Sequence, residues 1–98
     1  AITSIARLGM DTAPVTTGDA TFDADWVVDA DPSLATRVLD DTLRATLIDL
    51  RSRLSFMQVA SIEATRHGVI VRWPGELTPE SGGYLRDLAT EVRSRLGR

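Results

Sequence analysis

The chain has 98 residues, 43% hydrophobic and 26% charged, with a net charge of −3. That is one domain's worth of chain with a thin core, and not the composition of a disordered tail. The absence of cysteine excludes disulfides, a thiol nucleophile and a cysteine–zinc site, and the single His67 excludes a histidine pair.

The chain opens Ala1-Ile2 rather than on Met, and residues 1–98 read as a single α+β domain excised from a longer protein. No apolar run reaches the roughly 18–20 residues of a membrane span, and no signal-peptide pattern is present. Residues 2–8 fit a short strand or a helix equally well. Gly9 to Gly18, rich in Gly, Pro, Asp and Thr, reads as a linker. From Phe22 to Asp31 every even position is apolar: Phe22, Ala24, Trp26, Val28 and Ala30 share one side, and Asp23, Asp25, Val27 and Asp29 share the other. Period 2 predicts a strand across residues 22–30 with Phe22, Trp26 and Val28 buried and the three Asp exposed.

Asp31-Pro32 then predicts a helix start, because Asp accepts from the orphan amides and Pro at the first helical position forfeits no hydrogen bond. Leu34, Val38 and Leu39 form a short stripe, Asp40-Asp41 interrupts it, and Leu43, Leu47, Leu50 and Leu54 continue at helical spacing. Two helical pieces with a bend are expected, the second capped by Asp40. Strand signal returns from Phe56. Val59–Arg66 and Val69–Trp73, joined by His67-Gly68, predict a hairpin in which Glu63 faces Arg72 and Ile62 faces Trp73. Thr78-Pro79-Glu80 starts a last helix carrying Leu85, Leu88, Ala89, Val92 and Leu96 inward.

The order (β)βα(α)ββα, with short connections between strands, predicts an α+β two-layer sandwich. Its sheet would be antiparallel, of three to four strands, with helices on one face.

The acidic and basic residues are unevenly divided. Residues 1–50 hold nine Asp and three Arg, a balance of −6, and residues 51–98 hold five acids and eight Arg, a balance of +3. Net acidity argues against a nucleic-acid partner. The Arg set Arg51, Arg53, Arg93, Arg95 and Arg98 would form a phosphate-binding patch only if two helix ends meet; solvated helix ends are the plainer reading. The carboxylates of Asp19, Asp23, Asp25, Asp29 and Asp31, spread along an extended strand, do not converge as a calcium or magnesium site requires. His67 reads as a turn residue without the partner a general base needs. No nucleophile elbow or phosphate-cradling glycine pattern occurs. No enzyme activity, no metal and no cofactor are therefore expected.

Residues 17–39, from Thr17-Gly18-Asp19 through Phe22-Asp23-Ala24-Asp25-Trp26-Val27-Val28 to Val38-Leu39, resemble a pattern in membrane-anchored bacterial proteins of unknown function. There a Phe-led strand (F-x-x-x-aromatic-x-V) precedes an Asp-initiated helix, and a hairpin and closing helix follow, as Val69 to Leu96 would here. Asp40-Asp41 departs from that pattern, which often has Pro after the Leu. The resemblance implies no catalytic residues. It implies a soluble C-terminal domain, held at the cytoplasmic side of a membrane only by a tether outside this chain.

The function expected is a non-catalytic protein-interaction or regulatory domain, with a protein partner or a second copy. The alternative is a small-ligand-binding or sensing domain with a groove lined by Trp26 and Trp73. The uncharged run Phe56-Met57-Gln58-Val59-Ala60-Ser61-Ile62 is the expected interaction edge, with Phe56, Gln58, Val59 and Ile62 as its candidates.

Overall fold

A computed structural model describes residues 4–54, 58–74 and 77–96. Nine elements follow in order: β1 (Ser4–Leu8), β2 (Ala13–Val15), α1 (Ala20–Asp25), β3 (Trp26–Ala30), α2 (Pro32–Val38), α3 (Asp41–Ser52), β4 (Ser61–Thr65), β5 (Gly68–Arg72) and α4 (Pro79–Leu96). The fold is α+β, but the sheet is mixed and five-stranded, in the order β2-β3-β1-β4-β5. β1 runs parallel to both β3 and β4, while β2–β3 and β4–β5 are antiparallel. The expected antiparallel sheet of three to four strands is thus corrected. Residues 9–25 and 31–60 are long enough to cross over, which parallel neighbours require. The linker assigned to Gly9–Gly18 contains the short edge strand β2.

The strand expected over residues 22–30 is half helix. Asp19 accepts from the Phe22 N–H and caps α1, and the Asp23 carboxylate accepts from the Thr17 hydroxyl and the Thr17 and Gly18 amides. Phe22 and Trp26 are four residues apart, a spacing that keeps both on one side of a helix as well as of a strand. Both are buried and their rings stack at 6.3 Å. Asp23, Asp25 and Asp29 are half-buried rather than exposed.

The two helical pieces after Asp31 form as the capping pattern predicts. Asp31 accepts from the Ser33 N–H and Asp40 from the Leu43 N–H. Thr78 and Ser81 cap α4, the Ser81 N–H donating to the Thr78 hydroxyl and the Thr78 N–H to the Ser81 hydroxyl.

The hairpin turn is Arg66-His67, not His67-Gly68. Thr65 pairs with Gly68, Ala64 with Val69, Glu63 with Ile70 and Ile62 with Val71, so β5 is displaced by two residues from the expected register. Among the described residues no non-glycine has a positive φ, so the turn is built from ordinary conformations and Gly68, at φ +143°, takes the strain. A two-residue displacement preserves which side chains share a face. Glu63 and Arg72 therefore remain neighbours, now diagonal, at 3.5 Å.

One core fills the space between sheet and helices. Ala6, Leu8, Trp26, Val28, Ile62 and Ala64 from the strands meet Phe22, Val38, Leu43, Leu47, Leu50, Leu88 and Val92 from the helices. Two arginines clasp the helical layer. Arg44 donates to Asp19 at the start of α1 and to the Leu39 carbonyl at the end of α2, and pairs with Asp41. Arg95, 5% exposed, donates to Asp40 at 2.7 Å and to Glu91 at 2.6 Å. Those hydrogen bonds, to Asp40 first, raise the Arg95 pKa further above its ordinary value. One oxygen of Asp40 caps α3 while the other holds α4, so a single carboxylate fixes two helices.

Candidate interaction surface

The expected sites divide when placed in the fold. Trp26 lines no groove: it is 2% exposed, and its indole N–H donates to the Leu47 carbonyl at 3.0 Å inside the core. Trp73 is half-buried and borders a concavity of about 300 Å³ with Tyr84, Arg53 and Leu85. The Arg53 guanidinium lies 4.5 Å from the centre of the Tyr84 ring. The Tyr84 hydroxyl donates to Asp49, and burial, then Asp49, raises its pKa. The two tryptophans therefore do not share a groove.

The expected interaction edge is corrected as well. Ile62 is 2% exposed in β4, an interior strand paired with β1 on one side and β5 on the other. Gln58 and Val59 precede that strand, and Phe56 lies outside the described residues. The edges are β2 and β5. β2 is three residues long and contains Pro14, which breaks up further pairing. β5 is five residues long without Pro, and among the described residues its outer backbone has no partner from another element.

The Arg set also separates. Arg95 is buried in the clasp, Arg53 pairs with Asp49 and Tyr84, and Arg98 lies outside the described residues. Arg93 instead stands near the hairpin, lining a concavity with Arg66 and His67. Among the described residues no three His, Asp or Glu side chains gather as metal ligands, and no helix is long and apolar enough to cross a membrane.

One feature was not singled out by residue type: the second face of the sheet. In β1, Ser4, Ala6 and Leu8 turn to the core and Ile5 and Arg7 turn away. The register puts Val27 beside Ile5 in one row, continuing through Ser61 to Arg72. The next row runs Pro14, Asp29, Arg7, Glu63, Ile70. Ile5, Val27 and Ile70 are 43%, 47% and 51% exposed. The charges between them alternate, Asp29 and Glu63 flanking Arg7, with Arg7–Asp29 at 3.9 Å. The signal that could have found this face is the odd-position Val27 in the Asp-rich run, a β-branched residue where water was expected. No family model, curated protein or solved structure matches this chain.

Proposed function

We propose that this chain is a non-catalytic protein-interaction domain whose docking surface is the open face of the sheet and whose partner is a second copy of itself. The observation that carries this reading is the exposure of Ile5, Val27 and Ile70 on one sheet face while the opposite face carries the core. β-Branched side chains on a pleated surface pack well against a second sheet, about 10 Å away.

Charge favours a copy over a foreign partner. Asp29, Arg7, Glu63 and Arg72 sum to zero, so two such faces do not repel. An offset of one strand, about 4.8 Å, sets Arg7 of each copy over Glu63 of the other, which an isologous two-fold contact satisfies twice. Five strands of about five residues make a plane of about 24 by 17 Å, small for a stable interface. Association on the order of 100 µM is expected, about −5.5 kcal/mol.

Sedimentation velocity across 5–500 µM, a range chosen to bracket about 100 µM, tests this. The chain should pass from monomer to dimer, and Val27→Glu should stay monomeric with unchanged circular dichroism. A wild-type chain that is monomeric throughout overturns the reading. A second reading, a small-ligand site at Trp73 and Tyr84, is favoured by the aromatic lining of their concavity. Titration with small aromatic compounds, read by Trp73 fluorescence in a Trp26→Phe background, tests it separately.

A further inference from the structure

Among the described residues, the arginines outside the ion pairs lie together. Arg7, Arg44, Arg53, Arg72 and Arg95 are in ion pairs, and Arg37 and Arg51 have partners of their own. Among the described residues that leaves Arg66, Arg86 and Arg93. Arg66 touches only its neighbour, its Nε donating to His67 Nε2 at 3.4 Å. All three are exposed.

These side chains border two depressions of about 290 and 320 Å³ that share Gly68, Val69 and Arg93 and so form one trough. Its walls are the hairpin turn with the start of β5 on one side and the Arg86, Ala89, Thr90, Arg93 stripe of α4 on the other. Among the described residues no acidic side chain lines it. Asp87, next to Arg86 on α4, and Glu91, engaged by Arg95 at 2.6 Å, both lie outside its lining. Gly68 offers no side chain and Ala89 only a methyl, so backbone can approach the floor. Three cations without an ion-pair partner among the described residues thus border one trough in the Arg-rich half of the chain.

We infer that this trough binds an acidic protein segment in extended conformation, laid along the unpaired edge of β5. Two features select an extended chain. The edge strand supplies free backbone donors and acceptors for strand addition. Arg86 and Arg93 are seven residues apart, a rise of about 10.5 Å along the helix, a span that same-face side chains of an extended segment bracket at about 6.6 and 13.2 Å. A single phosphate cannot reach both ends. Carboxylates on alternate residues of the segment would face the guanidiniums in bidentate pairs. The site is separate from the open sheet face and does not depend on self-association.

A fluorescein-labelled eight-residue peptide alternating Glu and Val, titrated with the full chain in 50 mM salt and read by polarisation, is the test. Binding is expected, weakened at least tenfold when every Glu is Gln, and at least tenfold by Arg86→Gln with Arg93→Gln. In ¹⁵N spectra the shifted amides should fall in Gly68–Arg72 and the 86–93 stretch. These arginines are in no ion pair among the described residues, so the double variant should fold as the parent, checked by circular dichroism. No binding, equal binding by the variant, or shifts elsewhere would overturn the proposal. So would displacement of the peptide by inorganic phosphate or by a single-stranded oligonucleotide at comparable concentration.

Discussion

On the helix-covered face of the sheet, Ala6, Leu8, Val28, Ala30, Ile62 and Ala64 are at most 2% exposed, whereas Ile5, Val27 and Ile70 on the other face are between 43% and 51% exposed. The same strands, alternating residue by residue, build both surfaces. Burial on the first face holds the fold. On the second, aliphatics stand among paired charges, an arrangement that adds little to folding but leaves apolar area for a partner. Substitutions should therefore separate stability from association according to the face they touch.

The largest loss is expected on the packed face. Trp26→Ala removes a buried indole that stacks on Phe22 and donates to Leu47, and should destabilise by about 3–5 kcal/mol in chemical denaturation. Next comes the clasp between α3 and α4. Asp40→Ala removes a helix cap and strips a buried guanidinium of one of its two carboxylates, a loss of about 2–4 kcal/mol. Arg95→Ala should lose less, because Asp40 is 34% exposed and water can take over. Gly9→Ala follows, at about 1–3 kcal/mol. Gly9 sits at φ +100° and an added Cβ would meet Leu34 Cδ1 at 2.8 Å, where the end of β1 meets α2.

Acid should act through two helix caps and through Asp49 inside α3. Asp19 is held below the ordinary carboxylate value by the Phe22 amide and then Arg44, Asp31 by the Ser33 hydroxyl and amide, and Asp49 by Arg53 and then Tyr84. Unfolded, each titrates near about 3.9. Between the folded and unfolded values the unfolded chain binds more protons, so stability rises with pH there. The contribution is complete above about pH 5 and is lost as pH falls through 4 and below the folded values. Denaturation midpoints from pH 6 to pH 2 check this, and the Asp31→Asn variant should fall less steeply. The smallest effect on stability is expected on the open face, where Ile5→Thr and Val27→Thr should stay within about 0.5 kcal/mol while weakening association.

The caps explain what was legible. Asp31-Pro32, Asp40 and Thr78-Pro79 are local signals that act through bonds two or three residues away, and each starts a helix where the pattern places it. The Asp-rich run misled because Phe22 and Trp26 satisfy period 2 and a four-residue helical step at once, and the Asp19 cap decided between them. Strand order rests on contacts between residues such as Ile5 and Ser61, far apart in the chain, and no local pattern encodes it. An uncharged run such as residues 56–62 therefore reads as an edge, although Ile62 lies in an interior strand. The Trp-lined groove dissolved for a related reason: apolar bulk at Trp26 and Trp73 says that both are covered, not by what.

The docking role proposed for the open face is tested most directly by mixing isotope-labelled and unlabelled copies at about 500 µM, above the expected dissociation constant, and recording isotope-filtered NOEs. Cross-copy contacts should connect the methyls of Ile5, Val27 and Ile70 and leave out Met10 and Leu77, which are 65% and 64% exposed elsewhere on the chain. Contacts confined to Met10 or Leu77, or no cross-copy contacts at all, would contradict it.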